Sequence, residues 1–293
     1  MDVQIRELTD KKAVMVVEDA TPTFMNSLRR ILVSDIPKMA IDDVEFHMGS
    51  ILSSEDNKTY ESISPLFDEI IAHRLGLIPI PTDLSLFVAK DKCVCGGEGC
   101  PNCTIMYTLN KKGPATVYSG DLEPLGGPAF AIKDDLIPIV KLSDHQALLI
   151  YATAMLGTGA THAKWQACSG AGFRYYPVVE IDHEACSNEG DCVKACPRKV
   201  FMVDEDGKVR VDPEHLENCT LCDACVEVCE AKRSARKEDT GRKAVSARGD
   251  NSRFIFRFET DGSLTATQAL QEACKRLEKR FTDLREAISV LEE

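Results

Sequence analysis

The chain has 293 residues, 44% of them hydrophobic and 28% charged, with thirteen cysteines and a formal net charge of −12. Such a length supports two or three domains with a sizeable core. It contains nothing near the roughly 18 uninterrupted apolar residues of a membrane span, its first residues lack a basic-then-apolar secretory pattern, and its acidity argues against nucleic-acid binding along the whole chain. A cytoplasmic location is expected, and cysteines in a reducing compartment point to metal ligands rather than disulfides.

From the start of the chain, VQIRELT and AVMVVED alternate apolar with polar residues, which predicts a hairpin. A helix follows, with Thr21 as N-cap, Pro22 in the first turn and Pro37 beyond its end. Phe24, Leu28, Ile31 and Leu32 form its apolar face. Residues 92–103 then read KCVCGGEGCPNC, which places Cys93, Cys95, Cys100 and Cys103 within eleven positions. The intervening glycines permit tight turns, so four thiolates can converge on one ion. A closed structural zinc site is the expected occupant, and with no histidine nearby a catalytic zinc is not expected.

Residues 186–197 (CSNEGDCVKACP) and 219–230 (CTLCDACVEVCE) form an internal repeat offset by thirty-three positions. The second copy has the cysteine spacing of bacterial ferredoxins, in which the fourth cysteine of each run crosses to ligate the other cluster. On that rule Cys196, Cys219, Cys222 and Cys225 hold one complete [4Fe–4S] site. The other site has Cys186, Cys192 and Cys229, with Glu189 where Cys222 stands in the repeat. Three thiolates suit a [3Fe–4S] cluster; alternatively the carboxylate holds a labile fourth iron of a [4Fe–4S] cluster. The intervening KVFMVDEDGKVRVDPEHLENC reads as strand, turn and strand, so residues 180–232 look like a two-cluster ferredoxin module.

Residues 181–230 carry thirteen acidic against five basic side chains, and residues 232–257 nine basic against three acidic. The basic ribbon either complements the acidic module or an assembly partner, or binds nucleic acid. The chain closes with a strand in RFIFRFETDG and a long helix from about Thr265. Leu270, Cys274, Leu277, Phe281, Leu284, Ile288 and Leu291 recur along that helix at spacings of four and three, a seam that wants a partner helix.

NSLRRILVSDIPKMAIDDVEF, DEIIAHRLGLIPIP at 68–81, THAKWQAC at 161–168 with YYPVVEI after it, and FETDGSLTATQAL near the end together resemble the alpha-type assembly subunits of cellular RNA polymerases, in particular their D-type members from archaea. The resemblance runs nearly end to end and implies an α+β fold. Residues 1–38 and 248–293 would form a discontinuous dimerisation domain. Residues 39–179 and 233–247 would form an inserted mixed α/β domain carrying the cysteine knuckle at 93–103, and residues 180–232 the ferredoxin-like module. The knuckle is similar to the metal loop of the eukaryotic counterpart, and a ferredoxin-like insertion occurs in a subset of archaeal members. Glu189 departs from the full eight-cysteine pattern.

The implied role is a non-catalytic assembly subunit that pairs with a small alpha-like subunit, L. With subunits N and P the pair would form the platform for the large catalytic subunits, with DNA contacted only indirectly and no membrane association. Phe24, Leu28 and Ile31 would make the dimer interface with Leu270, Leu277, Phe281, Leu284 and Ile288, and Arg29 and Arg30 a large-subunit contact. The clusters would be structural, with sensitivity of assembly to oxygen as an added possibility. An iron–sulfur electron-transfer component is the competing class, but no dinucleotide fingerprint follows a strand, and LGTGATH lacks the third glycine.

Overall fold

Residues 1–52, 58–235 and 242–289 are described by the computed structural model. They divide into two compact units: Met1–Ile5, Met15–Met25 and Phe173–Phe256 in one, and Arg6–Val14, Asn26–Gly172 and Arg257–Glu293 in the other.

In chain order the elements are β1 (Asp2–Leu8), β2 (Lys12–Glu18), α1 (Pro22–Ser34), β3 (Pro37–Phe46), β4 (Ser50–Leu52), β5 (Thr59–Glu61) and α2 (Asp68–Gly76). Then come β6 (Thr104–Lys112), β7 (Ala115–Tyr118), β8 (Glu123–Pro124), β9 (Pro138–Leu142), β10 (Ala147–Thr158) and β11 (Cys168–Ile181). The chain continues through α3 (Asp191–Ala195), β12 (Phe201–Val203), β13 (Val209–Val211), α4 (Ala224–Ala235), β14 (Val245–Thr260) and α5 (Ala266–Ser289). None of the described helices is long and apolar enough to cross a membrane.

Helix α1 begins where the sequence predicts. The Phe24 N–H donates to Thr21 Oγ1 at 3.2 Å, which satisfies one of the amides a helix N-terminus leaves unpaired. Its buried stripe is Met25, Leu28, Ile31 and Leu32, with Phe24 only half-buried, so the apolar face is turned slightly from the expected one. Helix α5 opens with a reciprocal cap. Gln268 N–H donates to Thr265 Oγ1, and Thr265 N–H to Gln268 Oε1 at 2.9 Å, the capping-box arrangement.

Two four-stranded sheets carry the fold, in the orders β1–β2–β14–β11 and β3–β10–β6–β8. In the first sheet β14 lies between β2 and β11. The second sheet sets its register by facing apolar rows: Ile41, Ala154 and Ile105; Val44, Ala152 and Tyr107; Phe46, Ile150 and Leu109. The alanines sit on the central strand, and α2 adds Ile71 and Leu75 to the same core. A bulge at Thr153/Ala154 passes over Asp42, whose carboxylate takes the Lys164 ammonium.

The β12–β13 hairpin pairs Phe201 with Val211 and Val203 with Val209. Its turn uses Gly207 at φ 76°, and Asp204 Oδ1 accepts from the Lys208 N–H at 2.7 Å. Phe201 and Val209 share a small core with Cys192, Val200, Cys225, Val226 and Val245. The strand–turn–strand reading of this segment and the structure therefore agree.

Candidate metal centres and an exposed helix face

The knuckle thiols gather at one point. Cys93 and Cys100 Sγ lie 3.5 Å apart, Cys95 and Cys103 Sγ 3.7 Å, and Cys100 and Cys103 Sγ 3.9 Å. Four sulfurs about 2.3 Å from a tetrahedral ion are about 3.8 Å from one another, so the donor set fits one small ion. Among the described residues this is the one group of three or more metal-ligating side chains whose donor atoms all fall within 4.8 Å. Gly96, Gly97 and Gly99 all take positive φ, the conformations that fold the loop onto itself. The Gly99 amide, the Cys93 thiol and the Gly97 amide favour the Cys95 thiolate and draw its pKa down to about 6, while burial pushes Cys103 up.

The repeat cysteines instead ring two cavities. One is lined by Cys186, Cys192, Cys229 and Glu189, with Asp191, Lys232 and Arg233. The other is lined by Cys196, Cys219, Cys222 and Cys225. These are the two groupings the crossover spacing predicts: α3 carries the chain from Cys192 to Cys196, and α4 carries Cys225 and Cys229 on one helix. Burial, then the neighbouring Cys229 and Cys186, push the Cys192 thiol up to about 12. Burial first pushes Cys225 up to about 11. Any metal taking these thiols displaces protons.

Amide donors already face the sulfurs. Leu221 N–H points at Cys219 Sγ at 3.5 Å and Val200 N–H at Cys196 Sγ at 3.4 Å. Arg174 on β11 donates to the carbonyls of Cys219 and Glu217, which braces this loop. The sequence reading does not single out Arg174, Lys232 or Arg233. The last two follow Cys229 by three and four positions on a helix, a spacing that places them over the same cavity.

The basic ribbon is largely engaged by neighbouring acids. Arg242 pairs with Glu184 at 2.9 Å, Lys243 with Glu230 at 3.4 Å, Arg248 with Glu180 at 3.2 Å and Arg253 with Glu18 at 2.7 Å. Residues 236–241 of the ribbon lie outside the described residues.

The C-terminal seam divides in two. Ala266, Ala269, Ala273 and Leu277 are buried within the chain, and Leu270 is half-buried. Phe281, Leu284 and Ile288 are 64%, 56% and 49% exposed; Leu291 lies outside the described residues. A groove lined by Arg30, Ile31, Asp35, Leu277, Phe281 and Leu284 runs beside this row, and Arg280 reaches Asp35 across it. Leu28 and Ile31, expected at an interface, are only 5% and 2% exposed. Both pack within the chain, Ile31 beside that groove. Arg29 is tied to Asn26 Oδ1 at 2.9 Å; Arg30 is exposed on the groove.

Residues 14–281 match the family described as the RNA polymerase Rpb3/Rpb11 dimerisation domain. The chain is 43% identical to the DNA-directed RNA polymerase subunit Rpo3 of Thermoplasma volcanium, over 99% of this chain and 100% of that protein. It is 42% identical to the Rpo3 of Picrophilus torridus, over 98% and 99% of the two chains. Against the Rpo3 of Methanosphaera stadtmanae it is 38% identical, over 97% of each.

Proposed function

The chain belongs to the RNA polymerase Rpb3/Rpb11 family, and from that premise we propose that it is a non-catalytic assembly subunit of a DNA-dependent RNA polymerase. Its direct partner is a small alpha-like subunit, L. With subunits N and P the pair forms the platform for the large catalytic subunits, and touches DNA only indirectly.

The observation that carries this reading is the row Phe281, Leu284 and Ile288. It stands exposed on a helix whose first half is packed in the chain's own core. Large apolar side chains grouped in this way favour burial against a partner. The partner face consists of this row and the groove beside Arg30. The electron-transfer alternative is not favoured, since the relatives are named as polymerase subunits.

The knuckle would hold zinc through Cys93, Cys95, Cys100 and Cys103. Cys196, Cys219, Cys222 and Cys225 would hold a [4Fe–4S] cluster. Cys186, Cys192 and Cys229 would hold a [3Fe–4S] cluster, or a [4Fe–4S] cluster completed by Glu189. When bound, such clusters supply cross-links that stabilise a module whose own apolar core is small. What supports this is the donor sets: four sulfurs near the tetrahedral edge length in the first case, thiols around two cavities in the others. Their role is structural, with oxidative loss of the incomplete site as the route by which oxygen would reach assembly.

Co-expression with a small family partner under anaerobiosis, followed by size-exclusion chromatography and metal analysis, tests both parts. A stable one-to-one complex is expected, with zinc and iron bound. A monomer that ignores the partner would overturn the assembly role, and iron-free protein after anaerobic reconstitution would overturn the cluster assignment.

A further inference from the structure

Glu189 and Cys222 occupy corresponding places in loops of the same backbone shape. Asn188 and Gly190 flank Glu189 at φ 54° and 73°, and Leu221 and Asp223 flank Cys222 at φ 54° and 59°. Left-handed conformations at a leucine and an aspartate are costly and persist only where the surroundings impose them. Two loops thirty-three residues apart share left-handed flanking positions, and the residue between them lines its own cavity in each. The chain thus delivers a carboxylate to the place of the fourth thiolate.

That carboxylate has a second claimant. Lys232 Nζ lies 2.6 Å from Asp191 Oδ2 and 3.8 Å from Glu189 Oε2. Asp191 anchors the ammonium, and Glu189 is its looser partner. Lys232, Asp191 and Glu189 line one cavity together with the three thiols.

We propose that Lys232 competes with a fourth iron for the Glu189 carboxylate, and so sets how readily this site gains and loses that iron. The proposal rests on the reading that Cys186, Cys192 and Cys229 hold a cluster. The exchange balances without electron transfer: a reduced [3Fe–4S]0 cluster and Fe2+ combine to [4Fe–4S]2+. Glu189 passes from the ammonium to the iron while Lys232 stays on Asp191. A carboxylate is a hard donor that accepts ferrous iron but holds it less firmly than thiolate does. The equivalent position of the other site, Cys222, offers a thiolate and binds its iron without this exchange.

The test titrates isotopically labelled ferrous iron, anaerobically, into the reduced full-length chain and counts its incorporation by Mössbauer spectroscopy. The chains compared are wild type, K232A, K232Q, E189Q and E189Q/K232A. Lys232 and Glu189 are half-exposed, so the pair is on the weak side of ion pairs. Losing it should lower the half-saturating iron concentration about three- to fivefold in K232A and K232Q. Simple repulsion between Lys232 and iron would persist in the E189Q background, whereas competition for the carboxylate vanishes there. A K232A shift that disappears in E189Q supports the proposal. No shift, or an equal shift in both backgrounds, overturns it. E189C separates the underlying reading: it should carry about eight irons per chain, two full cubanes. If wild type and E189C both hold iron at one site only, the cluster assignment at Cys186 fails, and the proposal with it.

Discussion

Replacing Phe281 by alanine should break the partner contact while leaving the chain folded. The ring is 64% exposed in the isolated chain. A phenylalanine buries about 150–250 Å² when fully covered, so about 100–160 Å² remains for a partner to cover. At about 25 cal/mol per Å² that surface contributes about 2.5–4 kcal/mol, or roughly two to three orders of magnitude in Kd. Leu277, four residues earlier, is the control. It is 8% exposed, so Leu277→Ala should cost about 2–5 kcal/mol of folding stability and only secondarily affect pairing. The assay is isothermal titration of each variant with the small partner subunit, beside thermal unfolding of the variant alone. Near-wild-type affinity for Phe281→Ala, or a large drop in its Tm, would refute the division of α5 into a core half and a partner half.

Three further outcomes follow from the same structure. Cys196→Ser should remove about four irons per chain and leave the Cys186 site loaded, whereas Cys229→Ser should do the reverse; iron and sulfide analysis of the two variants decides whether the crossover holds. Cys103→Ser, at a fully buried thiol, should abolish zinc retention through gel filtration and leave iron content unchanged. Gly157 in β10 has no room for a side chain, because a Cβ there would overlap the Trp165 ring. Gly157→Ala should therefore cost about 1–3 kcal/mol in denaturant unfolding.

Several features are legible without the fold because short-range chemistry encodes them. Thr21 and Pro22 mark a helix start through bonds that reach only three residues. The knuckle is one tight loop, so its spacing of cysteines is nearly its geometry. The repeat offset groups Cys196 with Cys219, Cys222 and Cys225, and Cys229 with Cys186 and Cys192, and each group lines one of two separate cavities.

Periodicity on α1 names an apolar face but not what covers it. An amphipathic stripe looks the same whether the chain's own sheet or a second protein buries it; Leu28 and Ile31 are buried within the chain. The basic ribbon is ambiguous in sequence because charge composition carries no address; its engagement by Glu180, Glu184 and Glu230 depends on which segments meet.

The sequence by itself determined the cysteine spacings, the candidate groupings they imply and the break in the repeat at Glu189, because each follows from spacing over a few residues. Only the tertiary structure decided which apolar residues stay exposed for a partner and that Lys232 stands between Asp191 and Glu189. Those outcomes turn on contacts between segments brought together by folding, where distances of a few ångströms separate an anchored charge from a loosely held one.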